Sequence, residues 1–224
     1  MLAENIAHVE ERILLACARA GRRRDEVTLV AVTKKFPAEA IIEAYSLGMR
    51  DFGENYLQEF EDKALRLAGL GDDARFHFIG HLQANKTRKA AELFNVIETV
   101  DSARIATRLD EAAAANGKPL DVYVEVKLSD EEAKAGAAPA ELADLIAATR
   151  ACGHLHLCGL MTMPPWSENP EFARPYFAQL AELAARHGLK GLSMGMSNDF
   201  ETAIEEGSTL IRVGTALFGK RPKA

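Results

Sequence analysis

The feature that most limits what this chain can fold into is an alternation: short apolar runs trade places with helical stretches about eight times. The runs cover residues 28–32, 50–53, 76–79, 96–99, 122–126, 155–160, 191–194 and 210–213. Helix candidates begin near Pro37, Asn55, Asn85, Ser102, Pro139, Glu171 and Asp199, several of them residues suited to a cap or a first turn. Runs such as Leu29-Val30-Ala31-Val32 are apolar at every position, as parallel strands covered on both faces are. Eight β-then-α units predict an α/β protein of the (β/α)8, or TIM, barrel type, with an open doubly wound sheet as the rival. Leu2, Ile6, Val9, Ile13 and Cys17 recur at helical spacing and predict an extra amphipathic N-terminal helix. Gly21 closes that helix, and Arg22, Arg23 and Arg24 read as its solvated end.

Length and composition narrow the class. The 224 residues are 48% hydrophobic and 27% charged, which suits one globular domain over residues 1–224. Single α/β barrels occupy roughly 200 to 250 residues. A net charge of −6 gives no basic field for a nucleic-acid backbone, so no nucleic-acid partner is expected. Cys17, Cys152 and Cys158 form no CxxC pair and read as reduced thiols. Glu4, Glu10 and Glu11 near the start do not suit a secretory or transit peptide. No apolar run approaches the roughly 20 residues that span a bilayer. A cytoplasmic chain with no membrane partner, and a monomer, is expected.

In a barrel the chemistry sits just after the strands, at their carboxyl ends. The first run leads into Thr33-Lys34-Lys35-Phe36-Pro37. Desolvation at the end of a buried strand penalises an ammonium and favours the neutral amine that a Schiff base needs. Lys34 is thus a candidate carbonyl-binding nucleophile, although both lysines also suit a solvated loop. After the seventh and eighth runs come Ser193-Met194-Gly195-Met196-Ser197-Asn198 and Arg212-Val213-Gly214-Thr215. Glycines allow close backbone approach, and hydroxyls and amides donate to an anion. Loops after strands seven and eight frequently hold phosphate. A reactive lysine facing a phosphate cradle suggests pyridoxal 5′-phosphate (PLP).

Residues 29–37 (Leu-Val-Ala-Val-Thr-Lys-Lys-Phe-Pro), Phe52-Gly-Glu-Asn-Tyr56, residues 77–86, Gly159-Leu-Met-Thr-Met-Pro164, residues 193–197 and residues 211–219 fall in order along nearly the whole chain. Together they resemble the PLP homeostasis protein family. The resemblance implies a PLP-binding barrel related to the N-terminal domain of alanine racemase, with no dedicated catalysis. It also implies a role in binding and buffering PLP, part of cellular vitamin B6, and in handing it to PLP-dependent apoenzymes. The family's linked lysine follows Ala-Val-Ser, so the resemblance selects Lys34 as the Schiff-base residue. Two departures occur here: Thr33 stands for the usual Ser, and Lys35-Phe36 for the usual Thr-Lys. The resemblance places the phosphate on Ser197, Gly214 and Thr215, and puts Asn55 and His81 in the pocket wall.

Arg212 looks like the arginine that faces the pyridine nitrogen in this family and in alanine racemase. Strand alternation points it to the same interior as the site. A guanidinium has donors only and stays protonated, so the ring nitrogen must accept and remain unprotonated. That makes the ring a poor electron sink. The alternative partner for Arg212 is a buried carboxylate within the barrel. The rival function is an amino-acid racemase of the alanine racemase type, which this length is expected not to accommodate because that enzyme adds a second domain.

Other patterns carry less. Asp51-Phe52-Gly53 lacks the rest of a kinase signature, and no GxSxG elbow, Walker A loop or GxGxxG fingerprint occurs. His77 with His81, and His154 with His156, each lack a third ligand at suitable spacing, so no metal is expected. The segment Lys127 to Gly136, which also resembles a family motif, reads as a charged loop beside the pocket, and Met161 to Pro170 as a lip over it. Tyr56 is core packing or pocket wall.

Overall fold

The computed structural model describes residues 1–129, 131 and 135–220. An N-terminal helix α1 (Leu2–Arg19) precedes eight strands: β1 (Thr28–Val32), β2 (Asp51–Glu54), β3 (Arg75–Phe78), β4 (Val96–Val100), β5 (Leu120–Glu125), β6 (Leu155–Met161), β7 (Gly191–Met196) and β8 (Leu210–Val213). Helices α2 (Ala38–Ser46), α3 (Leu57–Leu67), α4 (Thr87–Leu93), α5 (Ala103–Asn116), α6 (Leu142–Arg150), α7 (Arg174–Arg186) and α8 (Phe200–Glu205) connect successive strands, and α9 (Thr215–Phe218) follows the last. Every strand pairs in parallel with the next, and β1 pairs with β8. The sheet therefore closes, and the open-sheet rival is excluded. The register sets Ala31 of β1 opposite Val213 of β8. The turns that follow, with Lys34 on one and Gly214 on the other, leave the barrel side by side.

The strands differ from the apolar runs in a consistent way. β2 ends on Glu54 and β5 on Glu125, and both carboxylates are buried. A run judged by apolar character stops at or passes over such residues, yet the ladder needs only backbone groups. Several helices also begin later than their opening residues suggest. Pro139 stands in a turn, with the Glu141 N–H bonded to the Ala138 carbonyl, before α6 starts at Leu142. Asn85 lies in a short 3-10 turn, Ala84–Lys86, that leads into α4, and Glu171 lies in another, Pro170–Ala173, ahead of α7. Ser102 and Asp199 do immediately precede their helices.

The N-terminal helix packs Val9, Ile13, Ala16 and Cys17 against the barrel. Arg12 pairs with Glu201 of α8 at 2.8 Å and stacks over the Phe200 ring. The arginine run after it is not simply solvated. Arg22 donates to the carbonyls of Ile204 and Ser208 at 3.0 and 2.7 Å, and Arg24 pairs with Glu10 at 2.7 Å. The guanidinium thus adds a bond to a carbonyl in the last turn of α8 and to one in the chain just beyond it. Only Arg23 of the three keeps a mostly exposed side chain, paired with Asp25.

Between barrel and outer helices, Phe52, Phe76, Phe60, Phe94 and Phe78 form a continuous run of ring contacts. It fixes α3 on β2 and β3. Just past β3, Gly80 touches the chain that follows β2: a Cβ at this position would lie 2.1 Å from the Asn55 carbonyl oxygen. Its own carbonyl accepts the Thr99 hydroxyl at 2.6 Å, so neither side is free to yield. Gly80→Ala is expected to cost roughly 1–3 kcal/mol, a typical penalty for forced overpacking. A thermal melt should show Tm lower by several degrees, and an unchanged Tm would refute the close packing.

Candidate functional site

At the carboxyl end of the barrel lies a cavity of about 290 Å³ whose wall includes Lys34, Asn55, Ser197, Arg212, Gly214 and Thr215. Thus residues far apart in sequence, each singled out for its chemistry, share one small space. Its size is at the low end for ligand pockets, which suits a single-ring ligand. His81, the remaining candidate, does not line it. Its side chain is 59% exposed, beside Asp101 at 3.6 Å. It faces an adjoining cavity of about 480 Å³ that includes Glu125 and shares Met163 with the first. The chain has already passed Gly80 at the end of β3, which puts His81 at the rim.

Local structure explains each position. Lys34 stands in the tight turn after β1, half-buried, while Lys35 is exposed with φ +66°. Ser197, after β7, reaches across to β8, where its Oγ accepts the N–H groups of Gly214 at 3.2 Å and Ala216 at 3.3 Å. These amides, the Ser197 hydroxyl and exposed Thr215 form a cluster of donors suited to an anion. Asn55 brings Oδ1 into the wall buried and without a hydrogen-bond partner among the described residues. A buried amide of that kind leaves an interaction for a ligand to make. The expected lip closes one side through Met163, Trp166 and Ser167, and Asn198 Nδ2 ties it down by donating to the Ser167 carbonyl at 2.9 Å.

The floor was not legible in advance. Arg212 is 3% exposed, donates Nη2 to the Thr162 carbonyl at 3.0 Å and Nη1 to Ser193 Oγ, and stands 3.7 Å from Glu98. Ser193 Oγ in turn donates to Glu98 at 2.6 Å. On its other oxygen Glu98 meets His77 Nδ1 at 2.7 Å, and His77 Nε2 meets Asp51 at 2.9 Å. Burial alone would push His77 down, but hydrogen bonds to Asp51 and Glu98 more than reverse it and hold the imidazole raised. Burial likewise pushes Glu98 up, and the His77 bond with the charges of His77 and Arg212 outweighs it, leaving the carboxyl lowered. The charges are therefore alternating and mutually dependent through the barrel interior. Glu98 is the buried carboxylate that the alternative reading of Arg212 called for, and Arg212 also lines the cavity. A charged residue in the middle of an apolar run, as in Val96-Ile97-Glu98-Thr99-Val100, was the available signal.

Comparison with known proteins settles the family. The profile described as alanine racemase, N-terminal domain, matches residues 5–222. The pyridoxal phosphate homeostasis protein of Escherichia coli strain K12 is 46% identical over 98% of this chain and 97% of its own. The chain belongs to the pyridoxal phosphate homeostasis protein family. Another member, from Pseudomonas aeruginosa, is 47% identical over 98% of this chain and 96% of its own. Among solved structures, PipY of Synechococcus elongatus PCC7942, with PLP bound, superposes with a TM-score of 0.86 at 38% identity, covering 98% of this chain and all, 100%, of that one. Alanine racemase of Clostridium difficile 630 superposes at 0.71 with 15% identity over 57% of its length, a likeness of fold.

Two further expectations read differently in three dimensions. His156 does have companions: ligand atoms of Asp121, His156 and Cys158 all lie within 4.8 Å of one another. A register irregularity between β5 and β6 brings Cys158 there, while Asp121 is engaged by Arg75 at 2.6 Å and His156 at 2.9 Å. Within the charged loop after β5, Asp130 and 132–134 lie outside the described residues, whereas Lys127, Leu128, Ser129 and Ala135 line the larger cavity. Tyr56 is 49% exposed and borders a separate surface pocket with His81.

Glu125, on the wall of that larger cavity, is 3% exposed with Oε2 unpartnered among the described residues. Burial pushes its carboxyl from 4.5 up to about 7, with Arg212 pulling it back and Asp101 adding to the rise. A carboxyl raised on folding favours the folded state below its unfolded value and loses that contribution as pH climbs through the folded one. Relative to Glu125→Gln, the wild-type chain should therefore lose stability between pH 4.5 and about 7. The change is on the order of 3 kcal/mol. Urea unfolding of both proteins across this window measures it, and parallel profiles would contradict it.

Proposed function

We propose that this chain, acting over residues 1–224 as one PLP-binding domain, is a carrier of PLP. It holds the cofactor by a Schiff-base link to Lys34 and yields it to PLP-dependent apoenzymes, without turning over amino acids. The observation that carries this reading is the convergence of Lys34, Asn55, Ser197, Arg212, Gly214 and Thr215 on one cavity. The relatives' name and the PLP-bound PipY structure support it. A monomer located in the cytoplasm fits the acidic surface and three free cysteines, and no described helix is long and apolar enough to cross a membrane.

When bound, PLP supplies an aldehyde that amines attack. Every other task falls to the chain. Ser197, the Gly214 amide and Thr215 take the phosphate, donors meeting acceptors. Asn55 completes its unmet hydrogen bond on the ring substituents. Arg212, desolvated yet anchored by Glu98 and Ser193, presents donors to the pyridine nitrogen and so favours its unprotonated form. An unprotonated ring withdraws electrons poorly, which disfavours transamination and decarboxylation and leaves binding and release intact. His81, at the rim rather than in the cavity, is assigned to the entry path, where an incoming amine would pass.

An absorbance titration tests the linkage. Wild type and Lys35→Ala should develop the visible band of lysine-bound PLP, and Lys34→Ala should not, with PLP bound at least about tenfold more weakly, roughly 1.4 kcal/mol. A band that survives Lys34→Ala and disappears in Lys35→Ala would overturn the assignment. Chiral chromatography after incubation with L-alanine tests the other half: turnover at enzymatic rates that Lys34→Ala abolishes would make the chain a racemase.

A further inference from the structure

We propose that Lys63 of α3 is a positioning residue that holds the Lys34 turn in its PLP-receiving shape, an inference that rests on the PLP reading above. Lys63 is 7% exposed, on a helix that otherwise turns Leu57, Phe60 and Leu67 inward. Its Nζ meets the Thr33 carbonyl at 3.0 Å, Glu54 Oε1 at 2.7 Å and Glu59 Oε1 at 2.7 Å. An ammonium has three N–H groups, so these three acceptors use all of them.

Both sides of Lys34 are tied to that one cation. On the N-terminal side, Lys63 holds the Thr33 carbonyl directly, and the Thr33 hydroxyl donates to the same Glu54 oxygen at 2.8 Å. On the C-terminal side, Glu59 Oε1, already bound to Lys63, accepts the Lys35 N–H at 2.5 Å. Lys35 is the one non-glycine among the described residues with positive φ, at +66°, a region that side-chain-bearing residues rarely adopt. Such conformations persist where surrounding bonds over-determine them. Here the peptide groups flanking Lys34 are clamped within one buried network, and the direction in which Lys34 leaves the backbone follows from them.

Stability alone does not call for this arrangement. Replacing a buried ion pair by apolar groups of similar volume is often neutral or stabilising. Lys63→Met, however, removes one partner only and leaves the buried Glu54 carboxyl without its cation, which is typically strongly destabilising. Glu59→Ala keeps the Lys63–Glu54 pair and breaks the clamp on the Lys35 side, so it reads the geometry at Lys34 apart from folding.

The test compares wild type, Lys63→Met and Glu59→Ala. In PLP-free protein, amide exchange at Lys35 should quicken at least tenfold in both variants, while far-UV circular dichroism stays that of wild type. With PLP, both should still form the visible band, bind the cofactor about tenfold more weakly and show less than half the wild-type visible circular dichroism, which reports how firmly the ring is held. Glu59 is partly exposed, so Glu59→Ala carries the test if Lys63→Met does not fold. Wild-type exchange, affinity and dichroism in the folded variants would overturn the clamp. A wild-type chain that forms no band would instead overturn the PLP reading, and the positioning role with it, even where the exchange result stands.

Discussion

The Arg212 guanidinium sits inside the barrel with Glu98 as its counter-charge, and the site above is arranged around that fact. Closing a parallel sheet forces side chains of alternate strands into the same axis. In this chain several of those side chains are charged. An unpaired ion there would cost several kcal/mol, and removing one partner of such a pair typically destabilises by about 3–5 kcal/mol. Asp51, His77, Glu98, Ser193 and Arg212 avoid that cost only as a set, each supplying a bond that another lacks. The result is a cation fixed in place beneath the cavity without dependence on a ligand.

On that floor the strand register builds the walls. β1 and β8 pair so that the turns bearing Lys34 and Gly214 emerge together, and Ser197 bridges from β7 to the amides after β8. A lysine, a cluster of donors and a buried arginine are thereby set around a space the size of one ring. The same barrel appears in alanine racemase at 15% identity, so the fold alone does not separate carrier from enzyme. What separates them is which groups surround the ligand and whether a proton acceptor stands ready. Arg212 does not separate them, since the resemblance gives alanine racemase the same arginine; it argues against transamination and decarboxylation, which need the ring as an electron sink.

Much of this was legible from residue order. Strand and helix alternation predicted the barrel, and glycine, hydroxyl and lysine residues at strand ends located Lys34, Ser197, Gly214 and Thr215. The rest was hidden for a physical reason. Glu54, His77, Glu98 and Glu125 lie within or at the ends of strands, where apolar character is the guide to burial, and all four are buried; Glu98 draws its partners His77 and Ser193 from 21 and 95 positions away, and Glu125 Oε2 has none among the described residues. The link from Glu59 to Lys35 crosses 24 positions and that from Ser193 to Glu98 crosses 95, distances no local pattern reports. Arg22 and Arg24 read as a solvated end because the carbonyls and carboxylate they bind come together only in the fold. His81 matched a motif, yet a motif fixes neighbours in sequence and not which cavity a rim residue faces.

The claim at the centre of this account is that the cavity carries PLP rather than spending it on chemistry. Mixing the PLP-loaded chain with a PLP-dependent apoenzyme, and following regained activity against an equal amount of free PLP, measures that directly. The account predicts that activity returns to the extent free PLP gives, while the visible band of the carrier falls in step. An apoenzyme that stays inactive while the band persists would contradict it.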